Sequence, residues 1–145
     1  MTRYREAFSW TRSIDEWVQH EISETPLLHA CSGRSSWGDV TLDAHEVADV
    51  QGDWQALPFA RDSFGAVFAD PPWDSGHKVE AARFVREALR VAPVAYLMAP
   101  WLYCAGWCDL TRVWYRQFPG VHSPVLLSRY ERSRQLVLAA GAVDE

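Results

Sequence analysis

Gly65-Ala66-Val67-Phe68-Ala69-Asp70-Pro71-Pro72-Trp73 is the stretch that decides the fold. Five small or apolar residues in a row, with no charge among them, read as a strand buried on both faces, as in parallel sheets. The two prolines end it: they lack an N–H, fix φ and leave the carbonyls of Asp70 and Pro71 free to accept hydrogen bonds. A carboxylate, a rigid turn without donors and an aromatic plate meet at one strand end, which is where open α/β sheets hold ligands. The arrangement suits a planar ring bearing an exocyclic amine. Asp70 accepts one amine hydrogen and the Pro71 carbonyl the other, drawing the nitrogen lone pair out of conjugation, while Trp73 stacks on the ring.

Outward from this strand, residues 27–31 and 39–43 read as two further strands, the first running into Ser32-Gly33 and the second ending in Asp43. A weaker extended segment covers 46–50. Val79, Ala82, Val85, Ala88 and Leu89 recur at helical spacing and predict an amphipathic helix after Lys78. Residues 94–98 form a fifth strand, closed by Ala99-Pro100-Trp101. Residues 104–118 are expected to be helical and to stop at Pro119-Gly120. Strands at 125–130 and 135–140, separated by Glu131-Arg132-Ser133-Arg134, are expected to form an antiparallel hairpin. Before the first strand, Trp10, Ile14, Trp17, Val18 and Ile22 predict a helix in residues 1–25 that packs on the sheet, with Ser13 and Glu16 as a capping box. The expected fold class is α/β: one domain over residues 1–145 with a mainly parallel seven-stranded sheet, covered on both faces and ending in the hairpin. Only ten positions separate Gly33 from Asp43, too few for an ordinary crossover helix, so that helix is shortened or absent, or the strand order differs.

The chain has 145 residues, 48% of them apolar, enough for a substantial core and short for a catalytic domain plus a separate recognition domain. No stretch approaches the roughly eighteen consecutive apolar residues of a membrane span, and Met1-Thr2-Arg3-Tyr4-Arg5-Glu6 lacks the apolar run of a signal peptide. A cytoplasmic location without membrane association is therefore expected. Cys31, Cys104 and Cys108 lack zinc-type spacing and read as free thiols, and His29, His45, His77 and His122 show no ligand spacing, so no metal is expected. The net charge of −5 excludes a protein that holds nucleic acid mainly by a dominant basic surface. Locally, however, Arg112, Arg116, Arg129, Arg132 and Arg134 outnumber Asp109 and Glu131, whereas Asp39, Asp43, Glu46, Asp49 and Asp53 make an acidic stretch. Lysine occurs once, so nearly all positive charge is guanidinium, which suits phosphate and base-edge contacts.

Asp70-Pro71-Pro72-Trp73 resembles the catalytic motif of the amino-methyltransferases, particularly those acting on adenine N6 in DNA or mRNA, whose motif is Asp/Asn/Ser-Pro-Pro followed by an aromatic residue. The element order after Pro26 is similar to the class I, Rossmann-like methyltransferase sheet, whose last strand is inserted antiparallel. The resemblance implies S-adenosylmethionine as methyl donor. It places Asp70, Pro71, Pro72 and Trp73 at the catalytic clamp, and the donor methionine against the loop of Cys31, Ser32, Gly33 and Arg34. That loop departs from the family's longer glycine-rich pattern, and Arg34 is a candidate for the donor carboxylate. Asp43 is implied for the ribose hydroxyls and Asp53 for the adenine amine, with Trp54 over the ring and Asp70 bordering the same pocket.

For the target, His77 could line the pocket, and Trp101 with Arg112 and Arg116 could stack bases and contact phosphates; Tyr103, Trp107, Trp114 and Tyr115 could extend that surface or belong to the core. DNA is the favoured nucleic acid, with RNA, a guanine amine or a protein amide as alternatives. A duplex base would have to be flipped out to reach the clamp. A partner subunit could supply target recognition. The non-enzymatic alternative is a donor-binding or scaffold subunit of a catalytic partner.

Overall fold

A computed structural model describes residues 12–71, 78–120 and 124–134 of the chain. Within them, helix α1 (Arg12–Glu21) precedes strands β1 (Leu27–Ala30), β2 (Val40–Asp43), β3 (Val50–Gln51) and β4 (Ala66–Ala69). Helix α2 (Lys78–Val91) then leads to β5 (Val94–Ala99), β6 (Cys108–Arg116) and β7 (Val125–Arg132). The protein is α/β, with a seven-stranded sheet in the order β3-β2-β1-β4-β5-β7-β6. The sheet is mixed: β3, β2, β1, β4 and β5 run parallel, while β7 is antiparallel to β5 on one side and β6 on the other.

Every residue of β1, β4 and β5 is buried, as continuous apolar runs at the centre of a two-sided sheet require. Successive side chains point to opposite faces and separate two cores. Leu28, Ala30, Val67, Ala69, Ala95 and Leu97 face α2, which contributes Ala81, Phe84, Val85, Ala88 and Leu89. Leu27, Ala66, Phe68, Val94, Tyr96 and Met98 face α1, which contributes Ile14, Trp17 and Val18 at the spacing that puts them on one stripe. The α2 stripe is rotated from the expected one: Phe84, the largest ring on the helix, and Ala81 turn inward, while Val79 is 59% exposed. Ser13 lies inside α1 rather than at its cap. Glu24, just beyond α1, ties this end of the chain to the sheet, accepting from the Tyr96 hydroxyl at 2.6 Å and from Arg129 Nη2 at 3.1 Å.

Three expectations are corrected. Residues 104–118 do not form a helix: 108–116 are the strand β6, in keeping with the β-branched and aromatic content of Thr111, Val113, Trp114 and Tyr115. Strand β7, which covers 125–130, forms an antiparallel hairpin with β6 and has β5 on its other edge; the 135–140 segment expected as its partner lies outside the described residues. The Glu131-Arg132 pair expected in the turn between them continues β7, opposite Asp109 and Cys108. Arg132 holds that strand end by donating to the Leu89 carbonyl at 2.7 Å and pairing with Asp62. The third strand is only Val50–Gln51, not 46–50. As expected, no helix joins β1 to β2 among the described residues. Trp10, Pro72, Trp73, His77, His122 and the 135–140 strand lie outside those residues. No helix in the described residues is long and apolar enough to cross a membrane.

Gly65 sets the entry to β4. Its N–H donates to the Pro26 carbonyl at 2.8 Å, and a Cβ there would lie 2.4 Å from the Thr25 carbonyl oxygen. That obstacle is backbone and cannot swing aside. Gly65→Ala is therefore expected to lower stability by about 1–3 kcal/mol through local overpacking, measured as a drop in the urea midpoint at unchanged m.

Candidate functional site

The site is assembled by register. Ala30 of β1 stands opposite Leu42 of β2 and Ala69 of β4, so the next residues, Cys31, Asp43 and Asp70, form a row across three adjacent strand ends. At the usual strand spacing the two acids flank Cys31 at about 5 Å on either side, measured between backbones. The chain turns at once at Cys31, whose φ of 53° breaks the strand. By alternation from Ala69, Asp70 belongs to the α1 side of the sheet, and Pro71 behind it is buried.

The β1–β2 connection replaces a helix with a loop pinned at both ends. Gly33 N–H donates to Asp43 Oδ2 at 2.8 Å, Ser32 N–H to the Leu42 carbonyl at 3.1 Å, and Leu27 N–H to Asp39 Oδ2 at 2.6 Å. Between these anchors Trp37 folds back under the loop and stacks on His29, ring centres 4.0 Å apart, with Phe68 at 5.0 Å from Trp37. His29 Nδ1 lies 3.0 Å from the Trp37 carbonyl. Ser35 Oγ reaches Asp15 Oδ2 of α1 at 3.5 Å, so the helix, the loop and the strand ends meet. Ser32 Oγ is buried there and has no hydrogen-bond partner among the described residues. Arg34 is exposed.

Charge is concentrated at this end of the sheet. Burial raises the Cys31 thiol well above its ordinary value, and the carboxylates of Asp70, Asp43 and Asp53 push it further. Asp70 is likewise raised well above the usual carboxylate range, first by burial and then by the charge of Asp15. Asp15 itself is raised by burial, against an opposing hydrogen bond from Ser35. Burial also acts on Asp43, but the N–H groups of Glu46, His45 and Gly33 outweigh it and leave this acid below the usual range. Asp43 Oδ1 accepts from both His45 and Glu46 at 2.8 Å, which leaves Oδ2 as the oxygen with spare capacity. Asp53 is exposed and closes its own turn by accepting from Gln55 N–H at 2.8 Å.

The structure thus brings Cys31, Ser32, Gly33, Asp43, Asp53 and Asp70 to one end of the sheet. Trp54 packs its ring on Phe84 of α2 at 5.4 Å. Trp101, half-buried against the α2-side core, follows the end of β5 on the same rim. Arg116 shares that level, because it pairs with Val125 while the next residue, Leu126, pairs with Ala99. Arg112 does not: it is level with Tyr96, in an open groove of about 310 Å³ with Glu21, Glu24, Trp114 and Arg129. Tyr103 and Trp107 are partly buried on the α2-side core, Trp114 packs on the α1 side, and Tyr115 is exposed. Sequence reasoning missed Asp15 and the His29–Trp37 stack. Asp15 reads there only as a polar position beside the helix stripe, and the stack joins residues eight apart across a turn. Among the described residues no group of acids, cysteines and histidines could hold a metal ion.

His29 supplies a pH test of the loop's foundation. Burial holds its imidazole down to about 4, against a weaker pull upward from the Trp37 carbonyl and Asp43. A histidine depressed in the folded state stabilises it above the unfolded value, and that contribution is lost as pH falls from about 6.5 towards 4, a swing of roughly 3 kcal/mol. Relative to His29→Phe, in which the raised Asp70 and Asp15 carboxyls still act in the opposite sense, the native chain is expected to lose melting temperature progressively over this window, as followed by circular dichroism. Comparison with known proteins finds no family model that matches the chain and no match among the curated proteins.

Proposed function

We propose that the protein is an S-adenosylmethionine-dependent methyltransferase acting on an exocyclic amine, with adenine N6 in DNA as the favoured target. The observation that carries this reading is the row of Asp43, Cys31 and Asp70, which sets the Asp-Pro-Pro motif beside the loop that the resemblance assigns to the donor. The insertion of β7 antiparallel between β5 and β6 supports the same reading.

The residues at this rim fit the donor. Carboxylates converging on Cys31 suit a cationic ligand, and the orphaned Ser32 Oγ offers a buried polar contact beside Gly33. Asp43 Oδ2 and Asp53 would hold the ribose and adenine, and Arg34 is free to meet a carboxylate. Bound there, S-adenosylmethionine supplies an electrophilic methyl group on a sulfonium. The chain's own work is alignment. Asp70 and the Pro71 carbonyl accept the two amine hydrogens and aim the nitrogen lone pair, and Asp70 takes the proton that the alkylated nitrogen releases. Pro71, buried behind Asp70, keeps the corner rigid and free of competing N–H donors.

Incubation with labelled donor and matched single-stranded DNA, duplex DNA, RNA and protein is expected to label DNA. Asp70→Ala is expected to lower kcat by about 100-fold or more, as for loss of one group that stabilises the reacting atoms, while calorimetry shows donor binding weakened far less than kcat. Donor binding without transfer to any substrate would favour a scaffold subunit, and absence of donor binding would refute both.

The acid limb of kcat/KM reports the free enzyme's ionisation. Because Asp70 must be ionised to accept the amine and its carboxyl is raised, that limb is expected above the ordinary carboxylate range. Asp15→Asn removes a neighbouring negative charge and should shift the limb to lower pH.

A further inference from the structure

We propose that β6 is the seam of a two-fold homodimer, with a second copy of this chain adding its own β6 antiparallel to extend the sheet. The inference is independent of the proposed chemistry. Strand β6 pairs with β7 on one side only, and among the described residues nothing pairs with its other side. It is nine residues long, and Val113 and Tyr115 stand 39% and 60% exposed on it. A long open edge of this kind is a template for another strand.

Which strand it accepts follows from the side chains. The ladder to β7 passes from Leu110–Tyr130 to Arg112–Arg129 and leaves Thr111 out as a bulge. Consequently Leu110, Val113 and Tyr115 share the α2 side of the sheet. Asp109, Arg112, Trp114 and Arg116 share the α1 side, where Trp114 joins the α1-side core and Arg116 lies 5.8 Å from the Trp17 ring.

An axis perpendicular to the sheet keeps each side of one copy level with the same side of the other. With that axis at Val113 and Thr111 again skipped, Val113 meets itself and Leu110 meets Tyr115, so apolar groups face each other on the α2 side. On the α1 side Arg112 meets Trp114 and Asp109 meets Arg116, each pair occurring twice. Moving the axis one residue either way sets Arg112 against Arg112 or against Arg116 of the other copy, and like charges directly opposite are destabilising. Of the axis positions at Arg112, Val113 and Trp114, in the middle of the strand, only Val113 keeps the arginines of the two copies apart.

Sedimentation velocity of the full chain, without donor or nucleic acid, tests the seam. A reversible dimer is expected. Arg116→Asp and Asp109→Arg should each weaken association by about tenfold or more, since each puts two like-charge pairs in the seam, and combining the two should restore it. Val113→Lys, at an exposed position, should dissociate the dimer by setting two ammonium groups on the axis. Circular dichroism melts check that each variant is folded. A monomer at every concentration, a dimer indifferent to Arg116→Asp and Val113→Lys, or a double exchange that fails to restore association overturns the proposal.

Discussion

The site depends on the common register of β2, β1 and β4. Parallel pairing puts Leu42, Ala30 and Ala69 level, so the three strands finish together and their next residues share one rim. A slip of one residue in either pairing would turn the acid at that strand's end to the opposite face of the sheet. Burial enforces the register: Leu28, Ala30, Val67 and Ala69 fill the α2-side core, and Leu27, Ala66 and Phe68 the other. A slip would carry each set into the opposite core, where it does not fit the side chains already packed there.

The same packing controls the electrostatics of the rim. Asp43 keeps its charge because three backbone N–H groups converge on it, whereas Asp70 is held in a desolvated position near Asp15. Two acids at the ends of neighbouring parts of one sheet are thus driven in opposite directions by their surroundings. On the proposed reading this divides their work: a permanently ionised acid holds the donor, and an acid of raised proton affinity handles the amine and its proton.

The centre of the fold was legible in the chain because β1, β4 and β5 are apolar runs bounded by turn residues, and the helices carry stripes of the right period. The edge was not. In β6 the exposed positions fall on both sides of the strand, which erases the alternation that marks a half-buried strand, and Leu110, Trp114 and Phe118 then fit a helical period. The two residues of β3 are too few to make any pattern. Asp43, Asp53 and Asp70 could be picked out because each follows a strand or a glycine. Asp15 could not, since its place at the rim comes from how α1 lies across the sheet. Arg112 and Arg116 look equivalent at a spacing of four, and only the β6–β7–β5 register separates them along the strand.

The pinned loop between β1 and β2 also bears on how the chain reaches its native state. Parallel strands ordinarily meet only after a long crossover has closed, which makes them slow to pair. Here Leu28 and Val40 are neighbours across the ladder although only twelve positions apart in the chain. The loss of chain entropy on closing so short a segment is small, and Asp39 and Asp43 supply hydrogen bonds as soon as it closes. With the shorter β2–β3 step, where Leu42 meets Val50 eight positions on, the β1–β2 pair makes a local parallel unit that closes at small entropic cost, a nucleus on which β4 and the remaining strands can assemble.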